Sequence, residues 1–486
     1  MPGTSVFQRL PLHIAEHITE LYLDKSDTSD DPDTTDAKNT VALHSLYDVS
    51  YTWRTLALEY LCQDIVMTIP MMAEKYAFAF PRFPRAAERS TDFYRFVKHV
   101  ILVSGDINKQ PSEKQYQSFA VAWPEHTVFP FARLLTIRID EELGCHAVED
   151  VALENKLFDW VAQRIPTSLP KLQEAHLEQV FNGYTNSAEM FIFDDYGEPI
   201  VYPRLEWLKF SGFADTKVTF PVDKSIAPFP MLRYLKWDAY YAFEDDTLFR
   251  GNGQTLEYLD IGFDSELIAL LQREKAFSGG KYPKLCCIRA NSVYGDPIGL
   301  ATNELLTEFT ASLISPATQI FRTTIEYSYR DLMNVFTACS YTGNIQVLTL
   351  KLTTLSLLQV IELVKLLPNM TSLMCNADRL DPELIGCPIK TITDRLQARY
   401  PNPLSRCFKR WIAFRPTGVP AKSLVASAIS LAILCPNFAH AKVLDRDTEL
   451  LEQTMRGVIA SGSYDEYFER LDRIFCYEPG GFFRTV

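Results

Sequence analysis

A short apolar phrase recurs along this 486-residue chain, and it constrains the fold more than any other feature. In the phrase Pro-x-Leu-x-x-Leu-x-apolar, a leucine is followed by apolar residues three and five positions later. Copies that carry the proline begin at Pro170, Pro203, Pro230 and Pro283. Copies that lack it or are degenerate have their first apolar residue at Val97, Leu134, Leu256, Ile345 and Met370. A phrase repeated every few tens of residues predicts a solenoid, and solenoids usually bind rather than catalyse.

The segments between the copies favour helices, so each unit is expected to contain a strand, a turn and a helix. Apolar residues at helical spacing lie at 153–165, 267–271 and 357–367. The proline would stop the preceding helix and favour an extended chain behind it. The gap from Leu285 to Ile345 is about twice as long as most, which indicates a degenerate unit near Ile320–Tyr327. The predicted fold class is therefore an α/β solenoid over residues 95–380.

Alternation along each strand assigns side chains to two faces. Residues three and five positions after the first leucine point into the core, whereas those at positions two, four and six point to the open face of the sheet. The second position holds Trp207, Tyr234 and Tyr258, and the fourth holds Lys209, Lys236 and Arg289. The same assignment puts Thr136 at the second position of its copy. It puts Arg138, His176 and Asp260 at the fourth position of theirs.

Aromatic rings beside cations suit the anchoring of a partner's side chains and an acidic or phosphorylated group. We therefore expect the target-binding residues to be Trp207, Lys209, Tyr234, Lys236, Tyr258 and Arg289. Two alternatives remain open at this point. The aromatic side chains could lie under a loop or a C-terminal cap, or the strand register could be inverted so that they belong to the core.

The region 386–486 shows no clear copy of the phrase. Its apolar patterns favour helices over Leu404–Phe414, Leu424–Leu434 and Leu450–Phe475. Because a solenoid needs its last open face covered, we expect a C-terminal helical cap there. The strongly apolar part, Leu424–Cys435, is shorter than the roughly 20 residues that cross a bilayer.

Composition and motifs exclude several function classes. The net charge of −13 disfavours a general nucleic-acid binder. The ten cysteines form no Cys-x-x-Cys pair, and His13 and His17 lack a third ligand nearby, so no metal is expected. No phosphate loop, nucleophile elbow or dinucleotide fingerprint occurs. The expected protein is not an enzyme, has no cofactor, binds no membrane, and is cytoplasmic or nuclear, since no signal sequence starts the chain.

The first 70 residues form a separate region in this interpretation. Leu10, Ile14 and Ile18 recur at helical spacing, with Pro11 at a position suited to a first helical turn. The tract 24–40 is rich in aspartate and has almost nothing to bury, so it is expected to be a solvated loop. A second amphipathic helix or helix pair is predicted from Leu43 to Leu61.

Two resemblances follow from these residues. The repeated phrase resembles leucine-rich repeats, although unit lengths are irregular. The asparagine or cysteine that usually follows is replaced at Phe213, Tyr240 and Val293. The Leu10-Pro11 start and the Val49-Ser50-x-x-Trp53 phrase resemble an F-box, from which the acidic tract departs as an insertion. The combination resembles fungal-type F-box proteins with leucine-rich repeats.

That resemblance implies a substrate-recognition subunit of a Skp/cullin/F-box ubiquitin ligase. Leu10, Pro11, Ile14 and Ile18 would contact a Skp-type adaptor, which would link the chain to a cullin, and Trp53 would pack the helical hairpin. The repeat face would select an unknown protein target. The alternatives are an ordinary helical cap over residues 1–65 and a leucine-rich-repeat scaffold with no ligase role.

Overall fold

The fold follows directly from the repeated phrase, because each repeat produces one parallel strand. The computed structural model describes residues 64–68, 95–103, 128–139, 164–179, 191–192, 199–212, 226–238, 247–249, 251–263, 265–277, 281–292, 303–377, 384, 387–400, 403–414 and 421–444. The chain forms two compact units. The first comprises Met1–Leu232 with Ala239–Tyr241, and the second comprises Arg233–Asp238 with Ala242–Val486.

In the first unit, each described strand pairs in parallel with the next strand along the chain. The strands are β1 (Asp64–Thr68), β2 (His99–Val103), β3 (Leu134–Ile139), β4 (Glu174–Gln179) and β5 (Trp207–Gly212). Residues 164–168, just before the turn into β4, are helical. The sheet begins at β1, ahead of the expected start near residue 95.

The second unit repeats the same parallel order with helices between its strands. Its strands are β6 (Tyr234–Asp238), β7 (Tyr258–Phe263), β8 (Cys287–Ser292), β9 (Ile320–Thr323), β10 (Val347–Leu355), β11 (Ser372–Ala377), β12 (Arg410–Phe414) and β13 (His440–Leu444). Its helices are α1 (Ser265–Arg273), α2 (Asn303–Leu313), α3 (Tyr329–Ala338), α4 (Leu357–Leu366), α5 (Ile389–Arg399) and α6 (Ala421–Leu434). The α/β repeat solenoid is thereby confirmed, including the helices predicted over 267–271 and 357–367.

The phrase builds the core as its alternation predicts. In β5, Leu208 and Phe210 are fully buried, and Leu205 is buried at the entry to the strand. The same three positions are buried in the other copies that begin with proline. Because each parallel strand repeats the register of its neighbour, these side chains form continuous columns that exclude water.

The proline has a more specific role than the sequence predicted. Pro203 occupies the second position of a turn in which the Leu205 backbone N–H donates to the Tyr202 carbonyl, at 3.3 Å. Pro170 and Pro283 occupy the same position in turns closed at Leu172 and Leu285. Proline suits that position because its ring fixes φ near the value the turn requires. The turn then directs the chain into the strand.

The degenerate unit predicted near Ile320–Tyr327 is confirmed as β9, and a buried polar cluster explains its unusual sequence. Thr318 takes the place of the first leucine and is fully buried. Its hydroxyl donates to the Leu285 carbonyl at 2.9 Å and accepts from the Ser315 backbone N–H at 2.9 Å. The apolar phrase is lost at this unit, whereas the strand and its register remain.

A short asparagine ladder links successive turns in the second unit. The Asn344 side-chain amide donates to the Pro316 carbonyl at 2.8 Å, and that of Asn369 donates to the Gly343 carbonyl at 2.6 Å. In leucine-rich repeats, the asparagine that follows the phrase usually forms such a ladder. Here that position holds other residues, such as Phe213, Tyr240 and Val293. These amides lie before the phrase and satisfy turn carbonyls there.

The predicted helix over Leu404–Phe414 is wrong, because residues 410–414 form β12 and pair with β11. The helix over Leu424–Leu434 is confirmed as α6, but it connects β12 to β13 and so belongs to a further repeat. Buried Phe408 and Phe438 replace the first leucine of these two units, which hid them from the pattern. The repeats thus continue past residue 386, and Leu450–Phe475 lies outside the described residues.

The register predicted for β3 is also wrong by two residues. Leu135 and Ile137 are its buried residues, and Ala132 is buried at the entry to the strand. Thr136 pairs with His176, so it belongs to the fourth position of the phrase rather than the second. The pattern is ambiguous here because Ala132 holds the entry position and the outward Leu134 resembles the first leucine of a copy.

Candidate binding face

The side chains that alternate with the core residues form the candidate binding face. In the first unit, Trp207 is 45% exposed, whereas the flanking core residue Leu208 is fully buried. An inverted register is therefore wrong, because it would bury Trp207 and expose Leu208. Within the described residues Trp207 is therefore an exposed residue of its unit, and the alternative that a loop or cap covers it stays a prediction.

Charges around Trp207 are largely balanced in this unit. Lys209 Nζ lies 4.0 Å from Glu178 Oε1 on the neighbouring strand. Glu174 Oε1 lies 2.7 Å from His176 Nε2. An exposed ion pair of this kind contributes less than about 1 kcal/mol. The exposed indole is consequently the main feature that this part of the face offers to a partner.

In the second unit, Tyr234 and Tyr258 form a stacked pair on adjacent strands. Their ring centroids are 4.2 Å apart and the rings are inclined by 9°, because the register pairs the two residues directly. Burial raises the pKa of both phenols, and the nearby Asp260 carboxylate raises it further. The tyrosine part of the predicted aromatic row is confirmed, whereas Trp207 belongs to the first unit and its place in the row stays a prediction.

Asp260 organises the polar side chains beside this pair. It is only 2% exposed and accepts hydrogen bonds from Arg289 Nη1 at 3.1 Å and Asn291 Nδ2 at 2.8 Å. The Tyr258 hydroxyl donates to the same carboxylate at 3.4 Å. Lys236 is half-buried and pairs in register with Asp260. The Arg289 charge, which the sequence assigned to a target, is thus already paired within the fold.

Sequence analysis missed Arg322, an outward residue on β9. The register sets it between Arg289 on β8 and Thr349 on β10. It is half-buried, and its Nε is buried without a hydrogen-bond partner. The signal was available, because Thr318, Phe321 and Thr323 keep the spacing of the phrase, but Thr318 hid the copy. Arg322 is therefore a cation of the face whose Nε finds no hydrogen-bond acceptor among the described residues.

Cys287 adjoins these arginines on the face and carries a thiol of low reactivity. Burial raises its pKa to about 11, although the charge of Arg322 partly opposes this shift. At neutral pH the thiol is protonated, and a protonated thiol is a poor nucleophile. Cys287 thus behaves as a small apolar side chain in this part of the face.

Other kinds of site find little support among the described residues. No group of three or more histidine, cysteine or acidic side chains there could hold a metal ion. None of the helices within the described ranges has the length and apolarity needed to cross a bilayer. A shallow trough of about 470 Å³ at the amino ends of the strands is lined by uncharged groups, among them Gln319, Gln346 and Thr371. It presents no pair of groups arranged for acid–base chemistry.

The predicted adaptor-binding residues Leu10, Pro11, Ile14 and Ile18 lie outside the described residues, as do Trp53, His13 and His17. The structure therefore bears on the repeat face and leaves the N-terminal prediction as it stood.

Comparisons with known proteins add little to this description. No family model matches the chain, and no curated protein matches it. A solved leucine-rich-repeat-containing protein from Legionella pneumophila is similar over 82% of this chain and 98% of its own, at 9% identity and a TM-score of 0.30. The fold assignment consequently rests on the strands and repeats of the chain itself.

Proposed function

We propose that this chain is a protein-recognition subunit that holds a target on the open face of its repeats. The observation that carries the proposal is the stacked Tyr234–Tyr258 pair beside the Asp260–Arg289 network, held on regular parallel strands. Rigid aromatic rings give large contact area at low entropic cost, and they dominate many protein interfaces. The six residues predicted from sequence remain the proposed target-binding set, with Arg289 acting through its network rather than as a free cation.

We further propose that the recognised target is delivered to a ubiquitin ligase of the Skp/cullin type. This part rests on the resemblance of residues 1–65 to an F-box, in which Leu10, Pro11, Ile14 and Ile18 would dock the adaptor. The chain itself would catalyse no step, and it would hold the target near the transfer machinery. A scaffold with the same repeats and no ligase connection is the alternative, and it differs only in what residues 1–65 do.

A direct binding assay with a purified Skp-type adaptor tests the ligase connection. The full-length chain is compared with a variant carrying Leu10→Asp and Ile14→Asp, which would place charge on the proposed apolar contact. We expect the wild-type chain to retain the adaptor and the variant to lose it. The matched control, Tyr234→Ala with Tyr258→Ala, should retain the adaptor, since its changes lie on the repeat face.

Thermal unfolding of each variant shows whether a loss of binding reflects loss of the fold. Failure of the folded wild-type chain to bind the adaptor would remove the ligase proposal and leave the scaffold. Loss of adaptor binding in the tyrosine variant alone would place the contact on the repeats instead of residues 1–65.

A further inference from the structure

Among the described strands β8 to β11, no aspartate or glutamate lies on the face of Arg322. The half-buried outward residues of these strands contain no aspartate or glutamate: Cys287, Arg289, Asn291, Ile320, Arg322, Val347, Thr349, Ser372, Met374 and Asn376. Beyond these, β10 carries a further cation, Lys351, which is exposed. The nearest carboxylate column is that of Asp260 on β7, which is engaged by Arg289 and Asn291. Arg322 is thus a local positive charge in a protein whose net charge is −13.

The guanidinium of Arg322 is incompletely hydrogen-bonded, and a ligand could supply the missing acceptor. Its Nε is buried without a hydrogen-bond partner among the described residues, while the residue as a whole is only half-buried. A half-buried charge with an unsatisfied donor is unfavourable, and an incoming counter-charge offsets that cost. A bound partner with a negative group would therefore offset the cost of burying the Arg322 charge.

Apolar side chains flank the cation on the same face. Ile320 precedes it by two residues on β9, and Val347 pairs with Ile320 on β10. Both are half-buried, so part of each side chain faces solvent. The Thr349 hydroxyl, directly opposite Arg322, adds a hydrogen-bonding group. This combination complements an acidic side chain that lies next to an apolar one.

We infer that Arg322 is the specificity-determining cation of the face, and that it binds the carboxylate of an acidic side chain flanked by apolar residues in the target protein. This inference rests on the proposed function, because it names the chemistry of the target on the same face. A guanidinium offers parallel N–H donors to the two oxygens of a planar carboxylate. Ile320 and Val347 receive the neighbouring apolar side chain.

A carboxylate fits this site better than a phosphate. A phosphorylated side chain carries nearly two negative charges and three acceptor oxygens, and it is usually held by a cluster of arginines. Arg289, the adjacent arginine, already neutralises Asp260. Lys351 on β10 is exposed, whereas Arg322 is half-buried and has no described carboxylate beside it, so the single charge of Arg322 matches one carboxylate.

Peptide binding to the immobilised full-length chain, measured by surface plasmon resonance, tests the inference. The probe is an end-capped peptide with one glutamate between two valines. Matched peptides carry glutamine or phosphoserine in place of the glutamate, and a fourth carries glutamine with a free C-terminal carboxylate. We expect only the glutamate peptide to bind well, and Arg322→Gln to weaken it about tenfold. Arg330→Gln, which removes the same charge from exposed α3, should leave binding unchanged.

Three results would overturn the inference: no measurable binding of the glutamate peptide, equal binding of its glutamine counterpart, or a preference for the phosphoserine or free-carboxylate peptide. Its failure is separable from that of the proposed function by comparing proteins co-purified from cells with wild type, Arg322→Gln and the double tyrosine-to-alanine variant. Targets lost only with the tyrosine variant would leave the proposed function intact and refute the role of Arg322. Targets retained by both variants would refute the proposed function as well.

Discussion

At the scale of single residues, Arg289 and Arg322 show how pairing decides what an arginine can do. They are direct register partners on β8 and β9 and occupy the same position of the repeated phrase. Arg289 is bonded to a nearly fully buried carboxylate, so its charge serves the fold. Arg322 has no such carboxylate among the described residues and its buried Nε is unsatisfied, so we expect it to lower the stability of the free protein.

Replacing Arg322 with methionine should therefore stabilise the protein. Methionine keeps most of the aliphatic stem and removes the unsatisfied donor, so we expect the free energy of unfolding to rise by about 1 kcal/mol. Denaturant-induced unfolding measures this change. Arg330→Met on the exposed surface of α3 is the control, and its effect should stay within about 0.5 kcal/mol. A lower unfolding free energy for Arg322→Met would show that the guanidinium is satisfied in solution.

At the scale of elements, the register of each repeat depends on the turn that precedes its strand. The turn fixes where the strand begins and hence which side chains face the core, because a shift of one residue would exchange the two faces. Leucine at the turn exit serves this purpose in most units. At β9 the Thr318 cluster does the same by hydrogen bonding to the carbonyl of Leu285.

Replacing Thr318 with valine should destabilise the protein although it restores an apolar phrase. The change removes the acceptor of the Ser315 backbone N–H and one donor to the Leu285 carbonyl, both in the buried interior. We expect a loss of about 1–2 kcal/mol of unfolding free energy. Thr349→Val, on the open face of β10, is the isosteric control and should change it little. Equal effects of the two substitutions would mean that the cluster contributes nothing specific.

At the scale of the whole molecule, the repeats separate a buried set of side chains that maintains the fold from an outward set free to bind. Changing the outward set should therefore affect partners more than folding. The sequence alone predicted this separation in nearly every copy, because the alternation of β-strands is a local property. At β3 the predicted register was displaced by two residues, which changed the position numbers and kept Thr136 and Arg138 on the outward face. The pattern failed at β9, β12 and β13, where threonine or phenylalanine replaced the first leucine.

Combined replacement of Trp207, Tyr234 and Tyr258 with alanine should remove target binding and leave the protein folded. The stacked pair contributes only about 0.5–1.5 kcal/mol beyond its buried area, so the sheet should persist. Circular dichroism and a cooperative thermal transition check the fold, and co-purification of targets checks binding. Leu235→Ala, a core change in β6, is the contrasting control and should cost about 2–5 kcal/mol. Unfolding of the triple variant would show that these rings contribute more to stability than outward side chains should.

Spacing and alternation in the sequence were enough to predict the repeat, the strands and the outward orientation of Trp207, Tyr234 and Tyr258, each on its own strand. Both are properties of a short stretch of chain. Only the tertiary structure decided that Arg289 is paired, that the Arg322 Nε finds no acceptor among the described residues, and that repeats continue through β12 and β13. Charge pairing depends on which residues of different strands become neighbours, and backbone pairing maintains a strand even where its side chains depart from the pattern.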